Sequence, residues 1–541
     1  MIRKILILIS FLIQGYGSIS FSQVNVEWFR TYGAGWGKNF VNDFSMDSSG
    51  NSYLTGNVSL SSSNSITAMG TIKYSSNGEL LWAKIFEGSA HAPAGGNAIV
   101  FDNTGNVYVT GTVYDIDSSE NYCTIKYNMS GEVIWVRKYH SSPQGRDVPT
   151  DIALDNENNV YVTGYTFYYG SSQYFWSTLK YDSSGNLLWS TRYEGDISKI
   201  KVSGKIILDN SNNLYVSGFT SESSNSHDFC TIKYDQSGQQ QWVSVLINPA
   251  LRDEPANITM DNMGNIYILG QSFNSTGFYT SLIKYDNNGN EVWNVKTDSV
   301  GHNDGYYYNK ISFILDGENY IYVGTTYGNY CCTIKYNSNG VQQWLSKFNR
   351  ESKGLGVNID NSGNIYTTGF TRVFGNVEPF LTIKYNPEGS VLWDKSFHVY
   401  NDLEFDEGAF VGIDKNNNIY IAGIHDDYAH SKNLYGLLKY SQGVGITNIS
   451  TEIPDNYNLY QNYPNPFNPK TIISYEIPVH SKVTLKVYDI SGKVINTLVN
   501  ENQSAGMYEA DFDGSNLASG VYYYKITAGN FNQTKRMILL K

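Results

Sequence analysis

A chain whose segments recur about every 53 residues must bury its apolar surface between copies of one unit. Here the element Asp-x-x-[Gly/Asn]-Asn-x-Tyr begins at Asp47, Asp102, Asp155, Asp209, Asp261, Asp316, Asp360 and Asp414. Its fourth position is Gly50, Gly105, Asn158, Asn212, Gly264, Asn319, Gly363 or Asn417, and Gly and Asn are the residues that tolerate a left-handed backbone. An Asp at the start of such a segment can accept a hydrogen bond from the amide two residues on. The element therefore predicts a tight hairpin turn, followed by an alternating strand such as Val107-Tyr108-Val109-Thr110-Gly111.

A second element, [Thr/Leu]-[Ile/Leu]-Lys-Tyr, ends at Tyr74, Tyr127, Tyr181, Tyr234, Tyr285, Tyr336, Tyr385 and Tyr440. In the first seven copies a Gly follows, and then Trp82, Trp135, Trp189, Trp242, Trp293, Trp344 or Trp393. Each unit thus supplies four short strands and two tight turns, which is the composition of one propeller blade. Burying one Trp stabilises by roughly 4 to 6 kcal/mol gross, at about 25 cal/mol per Å² over some 150 to 250 Å². A Trp in every unit is therefore a packing device between neighbours.

The ends of the array indicate closure. Lys439-Tyr440 runs into Ser441-Gln442-Gly443 without a Trp, whereas Trp28 stands alone upstream of the first Asp element. The expectation is an all-β chain: an eight-bladed β-propeller over 23–446 whose N-terminal strand completes the last blade, removing open sheet edges. Asp102-Asn103-Thr104-Gly105-Asn106-Val107-Tyr108-Val109-Thr110-Gly111 resembles the bacterial SBBP-type β-propeller repeat. That resemblance implies fold and says almost nothing of activity.

Arg3 and Lys4 precede the apolar run Ile5–Ile13 and the small residues up to Ser22, so residues 1–22 read as a secretory signal peptide cut before Gln23. No later window reaches the roughly 20 apolar residues of a membrane-spanning helix. A net charge of -12 argues against a nucleic-acid partner, which would require clustered Lys and Arg. Three of the four cysteines, Cys123, Cys230 and Cys332, precede the same repeated motif; equivalent positions in different blades lie too far apart to bridge, so buried free thiols are expected.

After Gly445 the period stops. Residues 447–455 read as a linker, and 456–541 as about seven short strands forming a small Ig-like β-sandwich. Asn462-Tyr463-Pro464-Asn465-Pro466-Phe467-Asn468-Pro469, the turn Asp489-Ile490-Ser491-Gly492-Lys493, the segment Leu517–Tyr524 and the terminal Lys535–Lys541 are similar to the type A sorting domain of the type IX secretion system. The resemblance implies a Gram-negative bacterium, the type IX machinery as partner, and a product secreted or displayed on the outer-membrane surface.

If the two tight turns of each blade share one face, the other face carries the long, irregular connections. These include Phe167–Trp176, Phe273–Tyr279, Phe370–Phe380, Asn401–Glu407 and Ile424–Tyr435. Variable loops on a rigid scaffold are where binding resides. Phe167, Tyr168, Tyr169, Tyr174, Phe175 and Trp176 read as an exposed aromatic cluster able to stack on sugar rings or anchor a protein.

Other patterns have plainer readings. His425-Asp426-Asp427 with His430 has only loose metal-ligand spacing and reads as ordinary polar side chains facing solvent. The hairpin Asp residues are explained by their turns without calcium. The stretch Lys180–Trp189 is similar to the tryptophan motif of eight-bladed quinoprotein dehydrogenases, and Cys331-Cys332 to their vicinal disulfide, but Cys332 occupies the small position filled elsewhere by Gly70, Ser177 and Ser281. No cofactor, metal or catalytic residue is assigned, and no Gly-x-Ser-x-Gly, His-Glu-x-x-His or phosphate loop is present. The reading is an extracellular binding module for glycan or protein; the alternative is a carbohydrate- or peptide-active hydrolase on the same scaffold, whose paired carboxylates need no local motif.

Overall fold

The computed structural model describes residues 24–541 except 34–36, 38, 61–65, 90–91, 116–118, 142–144, 169–172, 196–199, 224–225, 248–251, 275–276, 300–310, 373–376, 399–404, 428–431, 443–445, 451–453 and 515–516. The predicted signal peptide lies outside the described residues. The fold is all-β, and among the described residues no helix is long and apolar enough to cross a membrane. Two compact units result, one of Val26–Tyr440 and one containing Ser441–Lys541.

In the larger unit each repeat supplies an antiparallel four-stranded sheet in sequence order, as in Ala94–Phe101, Val107–Tyr114, Glu120–Tyr127 and Val133–Tyr139 of the second repeat. The last repeat, Asp406–Ile413, Ile419–Asp427 and Lys432–Gln442, receives its fourth strand from Val24–Tyr32. Successive sheets touch through single parallel bridges: Glu120 to Arg146, His227 to Arg252, and Glu378 to Phe405.

The local chemistry explains the turns. The fourth position of every Asp element is left-handed, from φ 58° at Asn212 to φ 83° at Gly105. Asp102 accepts hydrogen bonds from Thr104 N and Oγ1 at 2.9 and 2.7 Å, Asn106 N and Nδ2 at 3.0 and 2.8 Å, and the Tyr108 hydroxyl at 3.0 Å. Five donors on one carboxylate account for Asp, Asn and Tyr in the motif together. In the sixth copy Tyr320 replaces the Asn and the turn keeps its amide bonds to Asp316.

The Trp residues connect neighbours. Trp135 donates through Nε1 to Ser183 O of the next repeat at 3.2 Å, and Trp82, Trp189, Trp242, Trp293 and Trp344 make the same bond to the following turn. The ring lies against the turn glycine, where a Cβ on Gly185 would stand 2.9 Å from Trp135. Trp28 lies in the same way against Gly78 of the first repeat, Arg30 Nε donates to Gly78 O at 2.7 Å, and Lys439 Nζ donates to Ser76 O at 3.0 Å. The sheet holding the last repeat thus packs on the first.

All four cysteines are buried and free. Burial raises the thiols of Cys123 and Cys332 to about 12, so the adjacent Cys331 and Cys332 are packing groups.

In the smaller unit, two four-stranded sheets enclose one core that includes Phe467, Ile473, Tyr475, Val483, Leu485, Tyr524 and Leu539. One correction concerns residues 447–455. The expected linker begins as strand Ile446–Ser450, which pairs with Gly506–Asp513, because its alternating backbone completes a sheet edge.

Candidate functional site

The long hairpin of the third repeat, Val160–Tyr168 against Gln173–Tyr181, sets Tyr165 opposite Trp176, Thr166 opposite Phe175 and Phe167 opposite Tyr174. Directly paired residues share a face, so the predicted cluster divides between two faces. On one, Phe167 and Tyr174 are half-buried with ring centroids 4.5 Å apart. On the other, Tyr168 and Phe175 lie at 5.4 Å, and the Arg192 guanidinium sits 4.8 Å from the Phe175 ring and 5.6 Å from the Tyr168 ring. Arg192 Nη2 donates to the Tyr168 hydroxyl at 2.8 Å.

The expected exposure fails for two members. Phe175 is 4% and Trp176 1% exposed; Trp176 belongs to the packing with Ile206, Leu214, Val216 and Cys230 of the next repeat. Trp176 is thus covered by the next repeat's sheet, whereas Phe175 is covered by Tyr168 and Arg192 of its own repeat. Tyr169 lies outside the described residues. Phe167, Tyr168 and Tyr174 remain accessible, with Arg192 as a partner that sequence reading missed.

A similar association recurs nearby. Phe219 stacks on His227 at 3.9 Å, Arg252 Nε donates to His227 Nδ1 at 3.0 Å, and Arg252 lies 5.2 Å from the Phe273 ring, which stacks on Phe278 at 5.5 Å. In the sixth repeat Lys347 stands over Tyr327 and Tyr330 at 4.8 and 4.4 Å.

The first strands of three repeats hold a charged group. Asp43, Asp151 and Lys205 occupy the same place, four residues before their repeat's Asp. Lys205 Nζ is 3.2 Å from Asp151 Oδ1, and Asp151 Oδ2 accepts from Ile206 N at 2.9 Å. Asp43 accepts from Ile99 N at 2.8 Å and Phe44 N at 2.9 Å. Each carboxylate therefore caps an edge amide of the next repeat, a duty the sequence offers no spacing motif to reveal. Burial pushes the Asp43 carboxyl up to about 6, opposed by Lys205 and reinforced by Asp151.

This shift has a pH consequence. The unfolded group ionises near 3.8 and the folded one near 6, so ionisation favours unfolding as pH rises through that window and is indifferent below it. Asp43→Asn is expected to remove a loss of stability between about pH 4 and pH 6 while leaving stability at pH 3.5 unchanged. Urea midpoints measured across pH check this; parallel curves for the two proteins refute it.

His425 is buried rather than on the surface, with Nδ1 2.6 Å from Asp406 Oδ1 and its ring edge-on to Phe29 at 5.3 Å. His430 lies outside the described residues. Among the described residues no group of three or more His, Cys, Asp and Glu side chains is placed to hold a metal ion.

Comparison with known families bears on both units. Residues 461–540 match the family described as Secretion system C-terminal sorting domain. The chain carries a type IX sorting domain. This indicates export by that system and a secreted or cell-surface location. Residues 134–166 match the family described as Beta-propeller repeat. An uncharacterised WD repeat-containing protein of Acanthamoeba polyphaga mimivirus is 26% identical over 220 residues, which are 31% of this chain and 16% of that protein. Among solved structures, the β-propeller domain of the Trilobed protease from Pyrococcus furiosus, described as having an open velcro topology, aligns with TM-score 0.36 and 8% identity over 64% of this chain and 93% of that one. PorZ, a surface component of the type IX secretion system of Porphyromonas gingivalis, aligns with TM-score 0.16 and 10% identity over 95% and 100%.

Proposed function

We propose that the exported chain is an extracellular glycan-binding module: a closed eight-bladed propeller that presents ligand contacts on its long-loop face, followed by an Ig-like sorting sandwich at 456–541. Ring closure is supported by the strand Val24–Tyr32 in the last repeat's sheet and by Trp28 against Gly78. The observation that carries the binding reading is the accessible Tyr168 ring with Arg192 bonded to its hydroxyl. An aromatic plane beside a planar polar donor offers a sugar ring both a stacking surface and hydrogen bonds to its hydroxyls.

The test is a screen of immobilised polysaccharides with the full chain, with sugar release assayed in the same wells. Tyr168→Ala and Arg192→Ala are each expected to weaken retention about tenfold or more, while thermal stability stays near that of the parent. Retention unchanged in both variants would remove this hairpin from the site, and retention of a protein in place of any glycan would name the other ligand class. A hydrolase on the same scaffold is the second reading. It is favoured by Asp43 and Asp151, two carboxyls at one level of the inner strands whose surroundings differ, one protonated up to about 6 and the other held by Lys205. Sugar release abolished by Asp43→Asn would establish it.

A further inference from the structure

One place on the fourth strand of the repeat carries a charge that the fold does not require. Three residues after the repeat's Trp stand Lys138, Arg192, Lys296 and Lys347, whereas three other repeats place Ile85, Val245 or Ser396 there. Each cation pairs across the sheet with a small residue, Cys123, Ser177, Ser281 or Cys332. Gly70 stands opposite Ile85 and Cys230 opposite Val245 in the same way, so packing at this place is met without a charge.

The four cations differ in what engages them. Lys138 Nζ donates to Asp115 Oδ1 at 2.5 Å, and the charge of Lys296 acts on Asp253. Lys347 and Arg192 instead reach the aromatic rings of their own hairpins, Lys347 over Tyr327 and Tyr330 and Arg192 over Tyr168 and Phe175. Arg192 is exposed, and its Nη2 is held by the Tyr168 hydroxyl at 2.8 Å. Glu194 Oε1 stands 3.8 Å from Nη1, beyond hydrogen-bond distance, and the Glu194 side chain is 59% exposed. Asp147, paired with Thr166 on this face, has its oxygens taken by Ser141 and Thr166. Burial raises the Tyr139 phenol of the second repeat, and the charge of Arg192 opposes that shift. The guanidinium therefore stands between two repeats, with one edge fixed by Tyr168 and the Nη1 edge turned to a carboxylate that does not bond it.

We propose, resting on the glycan-binding reading above, that the sugar taken by this hairpin bears an anionic group, a carboxylate or a sulfate ester, which Arg192 receives while Tyr168 carries the ring. A guanidinium presents paired N–H donors that match two oxygens of either anion, and hydrogen bonds between charged groups are about twice as strong as neutral ones. The Tyr168 hydroxyl and the Phe175 ring already fix the guanidinium plane, so little side-chain freedom is lost when an anion docks. The chain's net charge of -12 repels polyanions at long range, so retention has to arise at this contact. Glu194 competes with the ligand for the same guanidinium edge.

Polygalacturonate with its fully methyl-esterified form, and dextran sulfate with dextran, are two pairs that share their sugars and differ in charge. At about 0.15 M salt the full chain is expected to be retained about tenfold better or more by the charged member of one pair, and the pair names the anion. Arg192→Gln keeps amide donors without the charge, and is expected to lower that retention about tenfold while leaving retention by the neutral member unchanged. Glu194→Gln removes the competitor and is expected to raise retention by the charged member about threefold. Lys138→Gln removes an equal charge from the same place in the second repeat, where Asp115 already engages it, and is expected to change retention less than about twofold. Equal retention of the parent chain by charged and neutral members overturns the proposal and leaves the glycan-binding reading standing. Retention by none of the four, nor by any polysaccharide of the screen above, overturns both. A loss in Lys138→Gln matching that in Arg192→Gln also overturns the proposal, since retention would then follow total charge.

Discussion

Trp28→Ala is expected to destabilise the repeat unit by about 3 to 5 kcal/mol, the range for removing a buried Trp. Trp28 is 9% exposed, lies edge-on to Tyr420 at 5.9 Å and covers the turn at Gly78. It stands on the strand that completes the last repeat, beside the bond of Arg30 to Gly78 O and the 2.6 Å pair of Lys439 with Glu27. Its removal therefore weakens packing between the two ends of the array as well as one local contact. Leu188→Ala is the control: Leu188 is 53% exposed on an outermost strand, and its loss is expected to change stability by no more than about 0.5 kcal/mol. Urea unfolding of both variants checks the difference. Equal midpoints would mean that Val24–Tyr32 does not hold the last sheet.

Gly423→Ala is expected to cost about 3 kcal/mol or more, because a Cβ there would stand 1.7 Å from Glu407 O. The same collision recurs at Gly56, Gly111 and Gly369, where the obstructing carbonyls of Phe40, Gly95 and Lys353 lie at 1.9, 2.0 and 1.8 Å. The cause is a bulge in the first strand of the repeat, such as the shift between Gly408 and Phe410 in the last repeat, which swings a carbonyl toward the second strand. Glycine is the residue that admits this approach. Gly317→Ala, with nothing within 4 Å of the added Cβ, is expected to be near neutral. Thermal melts of the two variants side by side measure the contrast, and similar Tm values for both would refute the steric account.

These effects separate two kinds of information. The turns were legible in the sequence because their requirement is local: a left-handed residue at Asn158 or Gly105 needs only its own backbone and an Asp three residues earlier. The pairing of Val24–Tyr32 with the last repeat was legible for a different reason, since an array with one Trp missing at one end and one spare at the other leaves the spare strand a single matching place. The sorting domain was legible through separated motifs, each tied to a turn or strand of its own. Gly56, Gly111 and Gly423 each stand nine residues after their repeat's Asp, but only the bulged carbonyls give the reason.

Tertiary structure decided what lies between repeats. Phe175 and Trp176 look like Phe167 and Tyr168 in one dimension, and only the packing of Trp176 on the next repeat and of Phe175 under Tyr168 and Arg192 sets the first two apart. Asp43 feels the charges of Asp151 and Lys205 from more than 100 residues away, and His227 meets Arg252 through a parallel bridge between successive sheets. A repeat specifies its own turns and strands through short-range backbone preferences. It carries no spacing that states which side chains of the next unit will face it, because that depends on how sheets stack laterally, and stacking is set by the whole array at once.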